Sequence, residues 1–540
     1  MNKILKIAIS CVLVCVPLAC TDYLNVRPEN QILLEEYWQK GSDVEATVLA
    51  CYRAMQEKDF MWRVISWGEL RSDNVIPTSE ADAEMRDASN ANILPTNYLT
   101  QWGSFYAVIN YCNTVLKYAP DVVDRDPNFT NADLQAKSAE VLAIRALCYF
   151  YLLRTFRDVP LVLDATVDDT QVLQVPQARP NDVLTQITND LLQAEQWALS
   201  EYPSVPETKG RVTKDVVRAI LADVYLWQQK YTECIAYCDK LINAVATTTQ
   251  GGSSTGSSST MLPKYQLIPE TTSGLMPYFY IFINQRYSAY KGCSSESIFE
   301  LQFTTEKFND GAGIIYGMQN MGGDKIQLNA TTMYAEKDVI FPVTDERKPE
   351  SLYVTQSEGG SHPITKFWEY PVQIAANSYG YGYSSTSPNW IFYRITDIML
   401  MKAEALVQLN RSEADLHDAL HIVNTTYMRS NPTLLDADSL SFQNYGDPNT
   451  LDNLVLLERQ RELMFEGKRW FDLVRRSERK NSTGDLVNFV TLKYTDNLST
   501  IAAKLSVMNA LYLPINADEL KANQLLVQNP YYITSTNIEK

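Results

Sequence analysis

Residues 458–473 read ERQRELMFEGKRWFDL. Glu458, Glu462 and Glu466 recur every four residues, which places their side chains on one face if the segment is helical. The arginines between them favour a salt-bridged structural helix over a pair of catalytic carboxylates. Gly467 would cost about 1 kcal/mol relative to alanine inside a helix, so it predicts a close backbone contact at this point. We expect the tryptophan–phenylalanine pair that follows to anchor that contact in the core.

The apolar pattern on either side of this segment is mainly helical. The predicted helices cover residues 43–57, 100–118, 131–156, 181–197, 214–228, 231–244, 397–409 and 414–428. Pro120 is expected to close the second of them, and Thr213 is expected to cap the fifth. The third carries few charges on any face, which predicts a helix that is buried on most sides.

Two pairs of these helices follow the pattern of tetratricopeptide (TPR) hairpins. Ala222, Tyr225, Tyr231, Cys234 and Cys238 fall where TPR helix pairs place small and aromatic residues. The last two predicted helices repeat the arrangement. The predicted fold class is therefore mainly α, a TPR-like scaffold of helical hairpins with a loop-rich insertion of small strands.

Composition divides the chain into four parts. The predicted boundaries are 1–19 for a signal peptide, 20–245 for a helical N-terminal region, 246–261 for a flexible Ser/Gly/Thr loop and 262–540 for a C-terminal region. Within the last part, about 262–388 is rich in Gly, Pro, Tyr and Asn. A short strand is expected there at 298–303.

The first twenty residues indicate export. Lys3 and Lys6 precede a short apolar run that ends at Ala19 and Cys20. This layout is typical of a lipoprotein signal peptide that is cut before Cys20, whose thiol is then acylated. Ordinary secretion, with Cys20 as a spare thiol, is the alternative. No later run is long and apolar enough to predict a membrane-spanning helix.

Charge and cysteine content exclude several classes of protein. The formal net charge of −17 argues against nucleic acid and anionic lipid headgroups as partners. The cysteines beyond Cys20 are scattered through apolar stretches and read as small core residues rather than a disulfide framework. These residues are Cys51, Cys112, Cys148, Cys234, Cys238 and Cys293.

The signals for catalysis are weak. The pair His417 and His421 has the spacing of a zinc-protease motif, but Asp418 stands where that motif requires Glu, so two partly exposed helix histidines are expected instead. The sequence lacks a Gly-x-Ser-x-Gly nucleophile elbow with supporting histidines. A glycosidase that uses two carboxylates remains an alternative, because the distance between the carboxyl groups is a three-dimensional property. No metal or cofactor is predicted.

Aromatic residues give the positive signal. The chain has 32 Tyr and 9 Trp, many of them clustered in the loop-rich region. Exposed rings suit the apolar face of a sugar, and also suit peptides, although many such residues simply pack in a core. The candidate ligand-binding residues in this region are Tyr278, Tyr280, Tyr287, Tyr290, Trp368, Tyr370, Tyr381 and Trp390.

Several segments together resemble one family. They include TDYL at 21–24, the run from Ala139 to Phe150, RDVPL at 157–161, GRVT at 210–213, residues 394–405, residues 458–473, LPI at 513–515 and QNP at 528–530. In order and spacing these segments resemble the SusD/RagB family of Bacteroidetes outer-membrane lipoproteins. Arg157 departs from the pattern, since that family often has glycine there.

The resemblance implies a role as well as a fold. It implies a TPR-built scaffold with a variable ligand face that includes the loop of Tyr98, and a lid-like position over a SusC-like TonB-dependent transporter. The expected protein is a lipid-anchored outer-membrane protein facing the exterior that binds a glycan and is not an enzyme. Oligopeptide capture, a surface glycoside hydrolase and a purely structural lid are the alternatives.

Overall fold

The structure is a computed structural model. It describes residues 34–167, 171, 174–249, 259–268, 281–282, 292–304, 306–316, 326–331, 340–347, 362–367, 369–375, 378–383 and 388–533. The predicted signal peptide and Cys20 lie outside these residues. Among the described residues, no helix combines the length and apolar character needed to cross a membrane.

Helices dominate the described chain. They are α1 Leu34–Tyr37, α2 Gly41–Met55, α3 Lys58–Glu69, α4 Ala83–Ser89, α5 Gly103–Arg125, α6 Asn131–Phe156, α7 Pro180–Trp197, α8 Val205–Gly210, α9 Lys214–Trp227, α10 Tyr231–Ile242, α11 Asp310–Tyr316, α12 Ile395–Leu409, α13 Glu413–Ser430, α14 Phe442–Tyr445, α15 Pro448–Leu463, α16 Arg469–Lys480, α17 Gly484–Thr491, α18 Leu498–Leu505 and α19 Ala517–Ala522. Short 3₁₀ turns occur at Tyr98–Thr100, Asp436–Asp438, Met508–Leu511 and Pro530–Tyr532. The mainly α fold class is confirmed.

The strands form small antiparallel pairs. They are β1 Val75–Pro77, β2 Val159–Pro160, β3 Gln177–Ala178, β4 Val245–Thr249, β5 Ser259–Pro263, β6 Ser297–Leu301, β7 Leu328–Ala330, β8 Glu369–Ala375, β9 Ser378–Tyr383 and β10 Trp390–Arg394. The pairs are β1 with β7, β2 with β3, β4 with β5, β6 with β10 and β8 with β9. The strand expected at 298–303 is therefore present as β6, and β10 is its partner.

Local sequence sets several helix ends. Thr130 caps α6 and forms a capping box with Asp133, so this helix has the bounds predicted from its apolar pattern. Thr213 caps α9 through a hydrogen bond that its side chain accepts from Val216 N–H, as expected. Pro180 occupies the first turn of α7, where its missing N–H leaves no helical hydrogen bond unmade.

The prediction that Pro120 ends a helix is wrong. Helix α5 continues through Pro120 to Arg125. A proline inside a helix removes one backbone hydrogen bond and strains the preceding turn. On either side of it, Ala119 and Val122 are fully buried, and their packing offsets that loss.

The helices pack largely in chain order and form one scaffold. α5, α6 and α7 contact one another in sequence, and α9 and α10 form a hairpin that rests on α7. Helix α10 then packs on α12, which is paired with α13 and α15. One apolar core extends through both halves of the chain, from Trp38 to Leu526. This stacking of helical hairpins is the architecture of TPR-like proteins.

The two ends of the segment predicted as a flexible loop, 246–261, lie in the strands β4 and β5. β4 and β5 pair in register from Val245 opposite Pro263 to Thr249 opposite Ser259. The two ends of the Ser/Gly/Thr segment are thus a β-ribbon, and residues 250–258 lie outside the described residues. Because α10 packs directly on α12, the helices before and after this ribbon belong to one scaffold. The ribbon therefore does not connect two separate domains.

The segment 458–473 is two helices rather than one. α15 ends at Leu463 and α16 begins at Arg469, and the turn between them has positive φ at Phe465 (+67°) and Gly467 (+70°). The expected close backbone contact is confirmed, since a Cβ on Gly68 of α3 would lie 1.7 Å from the carbonyl oxygen of Gly467. Two backbones therefore meet where glycine faces glycine.

The charges of this segment form a buried ion-pair network. Arg394 contacts Glu462 at 2.6 Å and Glu466 at 2.8 Å, and Arg347 contacts Glu458 at 2.8 Å. The structural, salt-bridged interpretation is confirmed, but most partners come from distant segments. The other members are Asp73, Glu296, Asp345, Lys366, Asp397, Glu404, Arg429, Arg459, Arg469, Asp472 and Arg475.

One member of the network predicts how stability depends on pH. Burial raises the pKa of Asp397, but Lys468 at 2.7 Å and Arg459 at 3.0 Å outweigh it and lower that pKa to about 2. A folded pKa below the unfolded value stabilises the protein above about pH 4, and this contribution is lost as the pH falls to about 2. For a shift of this size the contribution is about 2 to 3 kcal/mol.

The check is urea denaturation of the wild-type protein and Asp397→Asn between about pH 7 and pH 2. We expect the difference in free energy of unfolding between them to narrow below about pH 4. A difference that stays constant over this range would contradict the assignment.

Candidate ligand-binding site

Tyr98 lies in the 3₁₀ turn between α4 and α5 and is partly exposed. Its hydroxyl donates to Asp82 Oδ2 at 2.9 Å, and its backbone N–H donates to Glu84 Oε2 at 2.6 Å. Burial, together with the charge of Asp82, raises the pKa of Tyr98, so the phenol stays neutral. The two carboxylates hold the tyrosine in place, and its side chain is partly exposed.

Trp62 of α3 is buried, with 9% of its surface exposed, and its ring contacts that of Tyr98. The ring centroids of Trp62 and Tyr98 are 6.3 Å apart at an angle of 62°, an edge-to-face arrangement. The Nζ of Lys58 lies 5.6 Å from the Trp62 centroid. We call the surface formed by Lys58, Trp62, Asp82, Glu84 and Tyr98 the Tyr98 surface. It combines aromatic carbon with polar groups at its rim.

Arg63 supports this surface from below. Its guanidinium is almost fully buried and donates to the carbonyl oxygens of Asp59 at 2.8 Å and Tyr98 at 3.2 Å, and to Gln101 Oε1 at 3.1 Å. Burial lowers the pKa of Arg63 because no carboxylate accepts from it in the described part of the chain. Its role is to fix the turn that carries Tyr98.

The segment that follows α11 begins and ends next to the Tyr98 surface. Gly311 of α11 packs closely on α3, where a Cβ would lie 2.6 Å from the Cβ of Met61 and 3.0 Å from the backbone N of Trp62. At the far end, Gln327 Oε1 accepts from the backbone N–H of Asp82 at 3.1 Å. Residues 317–325, between these points, lie outside the described residues.

A buried aromatic cluster gathers the bases of the aromatic-rich segments. Phe367 lies 5.3 Å from Phe282, 5.6 Å from Tyr316 and 5.6 Å from Trp390, measured between ring centroids. Phe282, Phe367 and Trp390 each lie close in sequence to a segment in which the candidate aromatics are concentrated. Tyr316 ends the helix that packs on α3.

The structure locates some of the predicted residues and not others. Tyr278, Tyr280, Tyr287, Tyr290 and Trp368 lie outside the described residues. Tyr370 and Tyr381 belong to the β8–β9 ribbon, where their backbones pair with Gly382 and Pro371. Tyr98 is partly exposed.

Trp390 is a predicted ligand-binding residue that is buried in the structure. It lies in β10, is 2% exposed and packs on Phe367. Helical order resumes at Ile395, directly after this strand. β10 is enclosed because it pairs with β6 and leads directly into the central helix α12, so its rings fill the core. Trp390 is therefore excluded from the candidate site.

Glu69 is an acid with a pKa near neutrality, and its role is structural. Burial raises the pKa of Glu69 to about 7. Its carboxyl accepts from Asn74 Nδ2 at 2.6 Å, Phe465 N–H at 3.3 Å and Gly467 N–H at 3.2 Å, and it is fully buried. This group holds the turn between α15 and α16 and has no surface to offer a substrate.

The histidines and cysteines lie as expected. His417 and His421 are exposed on α13, and the His417 ring stacks on Phe442 at 3.6 Å. The cysteines from Cys51 to Cys293 are free and buried. Within the described ranges, no group of three or more His, Cys, Asp or Glu residues has a geometry that could hold a metal ion.

Sequence reasoning missed Trp62, Lys58 and Arg63. Trp62 lies in a helix whose ring-rich pattern is typical of a buried helix. The ring that it contacts, that of Tyr98, belongs to a turn more than thirty residues later in the chain. The buried Arg63 bonds to Asp59 of its own helix and otherwise to Tyr98 and Gln101, which arrive with that turn. No local signal distinguishes these residues, because the fold alone brings the turn onto α3.

Comparison with known proteins matches both halves of the chain to one family. Residues 295–532 match the family model described as "SusD family", and residues 22–226 match the one described as "Starch-binding associating with outer membrane". The chain belongs to the SusD/RagB family. A SusD-like protein of Formosa agariphila is 25% identical over 486 residues, which cover 85% of this chain and 88% of that protein.

Solved SusD structures share the fold. A SusD superfamily protein from Bacteroides thetaiotaomicron has a TM-score of 0.66 at 22% identity, covering 92% of this chain and 99% of that chain. A SusD homolog from the same organism has a TM-score of 0.70 at 18% identity, covering 93% and 99%. The TPR-like scaffold of this SusD-family chain is thus the scaffold of its relatives.

Proposed function

We propose that this SusD-family chain is a surface-exposed outer-membrane lipoprotein that captures an oligosaccharide or polysaccharide and delivers it to a SusC-like TonB-dependent transporter. The observation that carries the proposal is the Tyr98 surface, where two carboxylates hold a partly exposed tyrosine on a rigid scaffold. An aromatic ring and several polar groups are thereby presented together. A glycan covers such rings with its C–H faces and bonds to the polar rim.

The tether is the second part of the proposal. The lipoprotein pattern that ends at Cys20 places an acyl anchor at the start of the mature chain. One acyl chain binds a membrane only marginally, so stable anchoring needs several chains on the N-terminal cysteine. The acidic body does not adhere to anionic headgroups by itself. The membrane contact therefore depends on the anchor and on the partner transporter.

The proposal assigns binding rather than catalysis to the Tyr98 surface. Asp82 and Glu84 already accept hydrogen bonds from Tyr98, so neither is poised as an acid and base pair across a glycosidic bond. A family whose model carries the description "Starch-binding associating with outer membrane" supports a glycan over a peptide. Oligopeptide capture is the nearest alternative and has the same architecture.

Replacing Tyr98 by alanine tests the site. We expect Tyr98→Ala to weaken binding about tenfold, because a stacked ring contributes about 1 kcal/mol or more beyond its area. Tyr98→Phe keeps the ring and should retain most of the affinity. The measurement is native electrophoresis of the purified protein in gels that each contain one neutral polysaccharide, such as starch, xylan or levan.

Three results would contradict the proposal. Unchanged retardation of Tyr98→Ala would remove this surface from the site. Retardation by no glycan, with binding of peptides in calorimetry, would favour oligopeptide capture. Release of shorter sugars from an oligosaccharide by the wild-type protein would support a surface hydrolase.

A further inference from the structure

A second concave surface lies on the scaffold itself. A cleft of about 1110 Å³ opens between the C-terminal end of α6, the first turns of α7, the α9–α10 turn and α16. It shares no residue with the Tyr98 surface. Its volume slightly exceeds the usual range for small-molecule sites, about 300–1,000 Å³, and is large enough for an extended ligand.

Two strained residues line this cleft. Arg157 has φ +71° and ψ −67°, and Gln229 has φ +58°, although neither is glycine or asparagine. Such conformations are unfavourable for residues with a Cβ, persist only where the surroundings enforce them, and concentrate at functional sites. Here both of them lie on the wall of one cleft.

Trp227 provides an aromatic surface between them. It is half-buried, and its ring stands at 90° to Phe150 with the centroids 6.1 Å apart. In the described part of the chain its indole N–H has no hydrogen-bond partner. The side-chain amides of Asn181, Asn189 and Gln229 are likewise unpaired there and line the same cleft. A ring surrounded by amides fits a hydroxyl-rich ligand.

Basic and acidic side chains nearly balance around the cleft. Arg179 pairs with Asp182 at 3.2 Å, and Arg475 pairs with Glu404 at 2.6 Å. Arg157 lies 4.0 Å from Asp158 and donates to an asparagine side chain of the 3₁₀ turn Met508–Leu511. Four basic and three acidic side chains line the cleft: Arg157, Arg179, Lys230, Arg475, Asp158, Asp182 and Glu478. This near balance favours an uncharged ligand over a strongly anionic one.

We infer that this cleft is a second glycan-binding site, which takes a neutral oligosaccharide segment against Trp227 with Arg157 and Gln229 as hydrogen-bonding groups. This second site goes beyond the proposed function, since none of its residues belongs to the Tyr98 surface. Two sites on one chain hold a polysaccharide more tightly than either alone, because the second contact is intramolecular once the first has formed.

The test compares Arg157→Gly, Trp227→Ala and Tyr98→Ala by native electrophoresis in starch, xylan, mannan, cellulose-derivative and levan gels. Arg157→Gly removes the guanidinium and relieves the backbone strain, so its Tm should equal or exceed that of the wild type while retardation weakens. For Trp227→Ala we expect an apparent affinity about tenfold lower, with Trp227→Phe in between.

The outcomes separate the two sites. If both cleft variants migrate as the wild type while Tyr98→Ala is no longer retarded, the cleft site is wrong and the proposed function stands. If the cleft variants lose retardation and Tyr98→Ala does not, the cleft stands and the role of Tyr98 fails. A wild-type protein that none of these polysaccharides retards overturns the cleft site. Should Trp227→Ala not fold, Arg157→Gly decides.

Discussion

Arg394→Met is expected to lower the free energy of unfolding by about 3 to 5 kcal/mol. The Arg394 guanidinium is fully buried and contacts Glu462 and Glu466 within 3 Å, with Glu296 at 3.5 Å. Methionine fills much of the same volume but leaves these carboxylates short of a cation and of hydrogen-bond donors. A buried charge without a partner costs more free energy than the ion pair contributes to stability. Removing one partner is therefore strongly destabilising.

The matched control is Arg53→Met. Arg53 pairs with Glu57 at 3.6 Å on α2, with both side chains more than half exposed. Exposed pairs contribute little, so the change in stability should stay within about 0.5 kcal/mol. Both variants are compared by urea denaturation monitored by circular dichroism. Equal, small effects at the two positions would show that the network is not central to stability.

Gly68→Ala is the second change with a large expected effect. Its Cβ would lie 1.7 Å from the carbonyl oxygen of Gly467 and 2.4 Å from the carbonyl carbon. A backbone oxygen cannot rotate away as a side chain can, so α3 must move off the α15–α16 turn. We expect a loss of at least about 3 kcal/mol or failure to accumulate as folded protein.

Gly103→Ala serves as its control. Gly103 begins α5, and no atom lies within 4 Å of a Cβ built there. Alanine restricts the unfolded chain without a clash, so the change should be neutral or stabilising by up to about 1 kcal/mol. Thermal unfolding of the two variants gives the comparison. A Gly68→Ala protein as stable as Gly103→Ala would mean that the two backbones are not in contact.

The contact between Gly68 and Gly467 also bears on the candidate site. The helix that carries Gly68 carries Lys58, Trp62 and Arg63 at its other end. Its position against the α15–α16 turn therefore sets where the Tyr98 surface lies. Gly467 was recognisable as a contact point because glycine is unfavourable inside a predicted helix, but its partner was not recognisable.

Local signals in the sequence predicted the helices well and the turns between them less well. The capping box at Thr130 and the apolar faces of 131–156 depend on neighbours within one or two turns. The turn at 464–468 was read as helix because charges recur every four residues across it. Its left-handed residues are enforced by Glu69, nearly four hundred positions away, which accepts from the N–H groups of Phe465 and Gly467.

The aromatic residues show the same division. Ring-rich surroundings predict a binding role for Trp390, and the family resemblance predicts one for Tyr98. Trp390 is enclosed because β10 enters the core beside β6. Tyr98 is exposed because its turn is held at the edge of α3 by Arg63. Exposure is a property of the assembled chain, so composition alone does not separate the two.

The sequence by itself determined the helical periodicity, most helix starts and the family to which the chain belongs, since these depend on short-range spacing and on the order of motifs. The tertiary structure alone decided which charges pair, which rings reach the surface and where the cleft beside Trp227 opens. The physical reason is that burial, ion pairing and concavity arise between segments far apart in the chain. Spacing within one segment does not encode the partner that the fold brings to it.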